Sequence, residues 1–221
     1  MSYFDEVYLK RLNRYGLDYQ SRLQGQRERN FENYLLKTPF RVDFQYLDKL
    51  HPASLERYKQ DYSETQAYLL TRTSLDIPNG TVLEVITQDG EKHPWMIWWL
   101  EQIASSGYNK YVVLKMTHQL TWTAADQEFI QWGYFRGPGT AKIQDAVKSS
   151  TGKALWTEND NLYMFITPYN KELKKEIYFT TLEGETTQAF IATDVDVTST
   201  KGISYVSVDP TLIRNESAPP T

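Results

Sequence analysis

The segment that most constrains the fold is HPWMIWWLEQ, residues 93–102, because it places three tryptophans within five positions. In an extended strand, side chains alternate between two faces, so Trp95 and Trp99 share one face and Trp98 takes the other. Neither face is polar. Burying one indole removes roughly 200 Å² from water, which is worth on the order of 5 kcal/mol. We therefore expect either a central strand of a two-layer core or a strand closed on one face by a partner molecule.

The turn residues of the chain predict a mainly β fold. Phe40, Val42, Phe44 and Tyr46 alternate with polar neighbours, which is the period of a strand with one buried face. Asp89-Gly90 lies between two apolar runs and predicts a hairpin, because both residues tolerate positive φ. The other short runs are AYLLTR, TVLEVIT, YVVLKM, HQLTWT, LYMFIT, EIYFTT, QAFIAT and ISYVSV. Many short strands with few helices between them predict a barrel or sandwich of short antiparallel strands.

The first forty residues have the spacing of helices. An apolar stripe that includes Phe4, Val7 and Tyr8 ends at Gly16, and a second helix begins near Asp18 and ends before Pro39. The stripe is narrow, so we expect an α-helical N-terminal arm laid on a larger body. The predicted organisation is a helical arm over 1–39, one β-barrel or sandwich domain over 40–213 with a long loop at 132–156, and a flexible tail over 214–221. The polar stretch HPASLERYKQDYSET could hold a short helix.

Composition excludes several kinds of chemistry. The chain has no cysteine, which excludes disulfides, thiol nucleophiles and cysteine metal sites. Its formal net charge is −4, which does not favour a general nucleic-acid or anionic-membrane binder. The N-terminus is acidic where a signal peptide is basic, and no apolar run reaches membrane-spanning length. We therefore expect a soluble protein made in the cytoplasm, without membrane contact.

No catalytic or cofactor motif is complete. The three histidines, His51, His93 and His118, are far apart in the sequence, so no metal site is predicted. Gly152-Lys153 lacks the following Ser or Thr and the earlier glycine of a phosphate-binding loop. The carboxylates of Asp194 and Asp196 could share a strand face, but we interpret them as a solvated strand end. The sequence therefore predicts no catalytic residues, no metal, no cofactor and no enzyme.

The order of several segments resembles neck and head-completion structural proteins of tailed bacteriophages that infect Gram-positive hosts. These segments are YLLTRTSLDIPNGTVLEV, WMIWWLEQ, YNKYVVLKMTHQLTWTAADQE, LYMFITPYN and AFIATDVDVTSTKGISYVSV. The Leu-x-Trp element at residues 120–122, with a polar turn at Asp126, and the opening SYFDEVYLKR also carry the resemblance. Members often have an asparagine just before the Leu-x-Trp strand, where this chain has His118-Gln119. No role of that side chain is transferred.

The resemblance implies a non-enzymatic β-barrel subunit of a ring at the head–tail junction, as a head-closure, stopper or collar protein that closes the DNA channel. The implied partners are further copies of the chain, a portal or adaptor protein, and a tail terminator or other tail component. The implied location is the virion, assembled in the host cytoplasm. Ring subunits use heterologous contacts, in which one patch meets a different patch on the next subunit. The centres of such interfaces are apolar and rich in aromatic residues.

Two sets of residues are candidates for these contacts. The candidate partner interface comprises Tyr3, Phe4, Val7, Tyr8, Trp95, Trp98 and Trp99. The candidate DNA-channel or docking loop carries four cations, which could touch genomic DNA without sequence specificity, namely Arg136, Lys142, Lys148 and Lys153. Two alternatives stay open: the tryptophans lie in the chain's own core, or the chain is a carbohydrate-binding module or glycan-active enzyme whose aromatic strand stacks on sugars.

Overall fold

The strands of the chain form two closed six-stranded barrels, with the strand orders β1-β2-β3-β6-β5-β4 and β10-β11-β12-β9-β8-β7. The structure is a computed structural model and describes residues 19–58, 65–102, 107–136, 163–183 and 186–208. Within these ranges lie one helix and twelve strands. They are α1 (Tyr19–Lys37), β1 (Arg41–Tyr46), β2 (Lys49–Arg57), β3 (Gln66–Thr71), β4 (Val82–Ile86), β5 (Lys92–Gln102), β6 (Asn109–Lys115), β7 (His118–Ala124), β8 (Gln127–Arg136), β9 (Tyr163–Pro168), β10 (Tyr178–Glu183), β11 (Thr186–Asp196) and β12 (Ile203–Val208). The predicted mainly-β class, with a barrel of short strands and an N-terminal helix, is confirmed.

Two compact units divide the chain. The first contains the described residues up to Ile77, together with Leu83–His93 and Trp99–Val113. The second contains Pro78–Val82, Pro94–Trp98 and the described residues from Leu114 onward. Residues 40–213 are predicted as one domain, whereas the described strands of that range form two barrels. Hydrophobic period shows which residues are strands but not which strands pair, so it could not separate one barrel from two.

Helix α1 packs on the first unit through its narrow apolar stripe. Phe31 and Leu35 are buried, and polar contacts add to them. The Arg72 guanidinium donates from Nε and Nη2 to the two carboxylate oxygens of Glu32, at 2.5 and 2.9 Å. Gly107 has φ +86° and lies against the helix backbone at Arg27, where a Cβ would come within 2.6 Å of the Arg27 carbonyl carbon. The helix is held by a few specific contacts rather than by a broad apolar face.

The second unit has a core of aromatic and aliphatic side chains. Phe165 and Phe190 meet edge to face at 5.3 Å between ring centroids, and Trp122 stacks on Phe129 at 5.5 Å. Around them lie the buried side chains of Leu120, Leu173, Ala192, Val206 and Val208. Edge-to-face and offset stacked contacts of this kind are the ones that ring quadrupoles favour. This core fixes the orientation of β7 and β8, which carry exposed side chains on their other face.

Two local predictions differ from the structure. In the stretch that could hold a short helix, His51 to Arg57 belong to β2, and residues 59–64 lie outside the described residues. Strand β8 was not predicted, and it includes residues 132–136, the first five residues of the predicted long loop. Gly133 concealed this strand, because glycine weakens a strand pattern. In the structure that glycine makes room for Leu120 on the paired strand, whose Cδ1 would lie 2.9 Å from an added Cβ.

Candidate interface surfaces

The tryptophan strand lies in β5, and its central indoles are covered by the chain itself. Trp95 and Trp98 are buried, whereas Trp99 is half-buried. The Trp98 Nε1 donates a 2.9 Å hydrogen bond to the hydroxyl of Tyr205, within the second unit. Burial of Trp95 and Trp98 removes the argument that placed them at a partner interface. For these two residues the chain's own core, one of the alternatives left open, explains the apolar strand.

Most of the other predicted contact residues lie outside the described residues. These are Tyr3, Phe4, Val7, Tyr8, Lys142, Lys148 and Lys153. Of the four cations of the predicted loop, only Arg136 lies among the described residues; it is the last residue of β8, where its backbone pairs with Met164. The described residues therefore show neither predicted set as an assembled surface. The roles assigned to the N-terminal arm and to the loop cations stay predictions.

The β1–β2 hairpin of the first unit exposes two leucines at its end. Tyr46 pairs with Lys49, so only Leu47 and Asp48 form the turn. Both have positive φ, 49° and 59°, as in a type I′ turn, where asparagine and glycine are preferred. Leu47 is 76% exposed and Leu50, two residues beyond the turn, is 64% exposed. We call Leu47 and Leu50 the hairpin tip. It is a protruding apolar feature that the turn itself does not require.

A second apolar surface lies on the solvent-facing side of β8 in the second unit. Ile130 is 60% exposed and Trp132 is 38% exposed, and being two residues apart they lie on the same side of the strand. Their partners on β7 are Thr121 and Gln119, which are smaller or polar. We call Ile130 and Trp132 the β8 face.

The opposite side of β8 is anchored. The Gln131 amide Nε2 donates to Thr167 Oγ1 at 2.6 Å and to the Pro168 carbonyl at 2.5 Å. The Thr167 hydroxyl in turn donates to the Trp132 carbonyl at 3.1 Å. These bonds hold the backbone on both sides of the exposed indole, so the β8 face is presented by a rigid strand.

A cleft of about 360 Å³ opens in the first unit beside α1. It is lined by Arg27, Asn30, Phe31, Tyr34, Glu56, Leu70 and Tyr108. Phe31 stacks on Tyr108 at 5.2 Å, and the Tyr34 hydroxyl donates to Glu56 Oε1 at 2.5 Å. Its volume lies at the small end of the range for small-molecule sites. The Tyr34 hydroxyl already occupies the Glu56 carboxylate, and the rest of the lining combines an aromatic wall with Arg27 and Asn30.

A tyrosine, a carboxylate and a lysine meet on the first barrel without forming a catalytic pair. The Tyr68 hydroxyl donates to Glu101 Oε1 at 3.3 Å, and Lys110 Nζ lies 3.0 Å from Glu101 Oε2 and 3.6 Å from the Tyr68 ring centroid. Burial first, and then the Glu101 charge, raise the pKa of Tyr68 to about 12. A phenol with that pKa stays protonated at neutral pH and acts as a donor rather than a base. The cluster ties β3, β5 and β6 together.

No group of three or more His, Asp or Glu side chains that could hold a metal occurs in the described ranges. His93 lies 3.2 Å from the Glu91 carboxylate, and the Nδ1 of His118 lies 2.7 Å from Thr117 Oγ1. Asp194 forms an ion pair with Lys175 at 2.8 Å, while Asp196 accepts hydrogen bonds from the turn that follows it.

No helix in the described part of the chain is long and apolar enough to cross a membrane.

The fold and the two surfaces define a protein of two six-stranded barrels with an exposed apolar surface on each of its two units. Neither a family model nor a curated protein matches the chain. Among solved structures it is similar to the K. pneumonia MrkH–c-di-GMP complex, with 10% identity over 84% of each chain and a TM-score of 0.26. It is also similar to apo K. pneumonia MrkH, with 9% identity over 84% of this chain and 83% of that one and a TM-score of 0.27. At these TM-scores the likeness transfers neither fold nor function.

Proposed function

We propose that this protein is a structural subunit of a phage neck, which forms a ring between the portal or adaptor and the tail and closes the DNA channel. Two findings support the proposal. One is the order of strand segments that resembles neck and head-completion proteins. The other, which carries it physically, is the presence of two exposed apolar surfaces, the hairpin tip and the β8 face, on different units of one chain. Surfaces of this kind are typical of interaction sites.

The physical properties of the chain fit this role. A closed barrel has no open sheet edges, so it gives a rigid block whose contacts are set by side chains and turns. Heterologous contacts between such blocks close into a ring when the rotation between copies allows it. A chain of net charge −4 repels rather than retains DNA that must slide past it. In the proposed ring, the cations at Arg136, Lys142, Lys148 and Lys153 supply the local, non-specific contact with the genome.

The proposed partners are further copies of the chain, a portal or adaptor protein, and a tail terminator or other tail component. The proposed role is non-enzymatic, and the proposed location is the virion after assembly in the host cytoplasm. No step of this role requires a cofactor or a membrane. Recognition would rest on apolar surface covered at ring and partner interfaces.

The test is imaging combined with cross-linking of assembled particles. Gold-labelled antibody against this chain should mark the head–tail junction of purified virions, and cross-links should join it to portal, adaptor or tail proteins. Particles made without this chain should carry heads that lose packaged DNA and lack tails. Label elsewhere on the particle, or no chain in purified virions, contradicts the proposal.

One observation favours a second candidate, a carbohydrate-binding module. Trp132 is partly exposed beside the Gln119 amide on the paired strand, an arrangement that can stack on a sugar ring and bond its hydroxyls. Trp95 and Trp98 cannot serve in this way because they are buried. A glycan ligand should shift the tryptophan fluorescence of the wild type but not of Trp132→Ala, whereas a neck subunit should show no such shift.

A further inference from the structure

We propose that the hairpin tip of one copy docks on the β8 face of the next copy. Leu47 and Leu50 of the first unit would cover Ile130 and Trp132 of the second unit of a neighbouring chain. This inference rests on the proposed ring, because it names the contact that joins one copy to the next. It goes beyond the ring because it states which two surfaces meet and that they are different surfaces.

Leu47 is unfavourable twice in the isolated chain. Its φ of 49° lies in the left-handed region, which is strained for a non-glycine residue, and its side chain is 76% exposed. The turn does not need a large side chain. At the equivalent turn position between β7 and β8, Ala125 has the same φ of 49° with only a methyl group. Strain that persists without a structural benefit is typical of contact sites.

The form of the β8 face suits it to receive the hairpin tip. Ile130 and Trp132 project beside the smaller or polar Thr121 and Gln119, so they form a raised apolar stripe on an anchored strand. Tryptophan at the centre of an interface is among the residues that contribute most to binding energy. This stripe of two side chains is matched in number by Leu47 in the turn and Leu50 just beyond it.

The charges beside the two surfaces point to a second copy as the occupant. The tip carries exposed Asp48 beside Leu47 and exposed Lys49 beside Leu50, and exposed Glu128 precedes Ile130 by two residues on the same side of β8. Seating Leu50 over Ile130 in the proposed contact brings Lys49, the nearer of the two tip charges, toward the opposite charge of Glu128. Because the tip and the face belong to one sequence, each copy would offer one and receive the other. That is the condition for a repeating heterologous contact.

The chain contains no cysteine, so engineered cysteines are the only thiols. We would mix two differently tagged single variants, Leu50→Cys and Ile130→Cys, at high protein concentration and oxidise them. The expected result is a disulfide-linked heterodimer in at least severalfold excess over either homodimer. A matched pair of exposed positions, Gln88→Cys with Thr123→Cys, should give no such excess. A heterodimer yield no higher than in this control, or a dominant Leu50→Cys homodimer, overturns the pairing.

A second pair of variants uses the two similar turns. Leu47→Asn places a residue that favours positive φ at the tip, so it should preserve folding while weakening self-association by tenfold or more in sedimentation experiments. Ala125→Asn changes the other turn in the same way and should leave self-association unchanged. If the wild type assembles and Leu47→Asn assembles equally well, this contact is overturned while the ring stands. If the wild type gives neither assemblies nor the cross-link, the ring fails as well.

Discussion

The indole Nε1 of Trp98 donates a 2.9 Å hydrogen bond to the hydroxyl of Tyr205, and both side chains are almost completely buried. The same hydroxyl lies 2.9 Å from Thr200 Oγ1. Burial raises the pKa of Tyr205, so the phenol stays protonated at neutral pH. In contrast, the Nε1 of Trp95 has no hydrogen-bond partner in the described part of the chain. The two buried indoles of β5 therefore differ, and only Trp98 is fixed by a polar contact.

We expect Tyr205→Phe to destabilise the protein because it leaves the buried Trp98 N–H without its acceptor. An unsatisfied buried donor costs about 1–3 kcal/mol. Urea unfolding followed by tryptophan fluorescence measures this loss. Tyr169→Phe is the control, since its side chain is exposed and a surface change of this kind costs less than about 0.5 kcal/mol. Equal stability of Tyr205→Phe and Tyr169→Phe would contradict a stabilising role for the hydrogen bond from Trp98 to Tyr205.

Gly80→Ala should be far more destabilising than Gly90→Ala, although both glycines have φ above +80°. A Cβ on Gly80 would collide with the carbonyl oxygen of Gly202, whereas a Cβ on Gly90 would meet nothing within 4 Å. Gly90→Ala should therefore cost about 1 kcal/mol from backbone strain alone, and Gly80→Ala roughly 2–4 kcal/mol. Thermal unfolding of both variants measures the difference. Similar losses would show that the close approach of Gly80 to Gly202 does not form in solution.

Much of the secondary structure follows from the pattern of apolar and turn residues that are close in the sequence. The alternation that includes Val42 and Phe44 predicts β1, and both side chains are buried. Asp89-Gly90 predicts the β4–β5 hairpin, where the Gly90 N–H donates to the Thr87 carbonyl at 2.9 Å. These features depend on neighbouring residues, so a single sequence contains the required information.

The remaining features depend on contacts between distant residues. The buried N–H of Trp98 is satisfied by Tyr205, 107 positions later. Strand β8 approaches Leu120 of the paired strand closely at Gly133, where a Cβ would lie 2.9 Å from the leucine Cδ1. The exposed Leu47 and Ile130 could not be told from core residues, since apolar character predicts burial whether or not a surface is later covered by a partner.

Tyr68 should make the stability of the first unit sensitive to alkaline pH. Its folded pKa is raised to about 12, above the unfolded value, so its contribution is complete below about pH 10 and is lost as pH rises through about 12. Urea midpoints measured across that window should fall more steeply for the wild type than for Tyr68→Phe. Glu101→Gln removes a charge that disfavours the phenolate and should move the tyrosine absorbance titration to lower pH. Coincident wild-type and Tyr68→Phe profiles would refute this effect.

The ion pair between Glu32 and Arg72 should help to hold α1 on the first barrel. Its two hydrogen bonds, at 2.5 and 2.9 Å, are bidentate, but both side chains are more than two-fifths exposed, so solvent screens the pair. We therefore expect Glu32→Gln to cost about 0.5–1 kcal/mol at neutral pH. The side-chain hydrogen bond from Arg72 outweighs partial burial and lowers the pKa of Glu32.

A lowered carboxyl pKa fixes the sign of the pH dependence. The contribution of Glu32 is present above its unfolded pKa and is lost as pH falls through its folded pKa. The gap between wild type and Glu32→Gln in urea unfolding should thus close as the pH falls below the ordinary range of glutamate titration. Glu84→Gln breaks the exposed pair with Lys92 within one hairpin and serves as the control, with a smaller expected loss at neutral pH. A Glu32→Gln gap that persists in acid would assign the effect to packing of the side chain rather than to its charge.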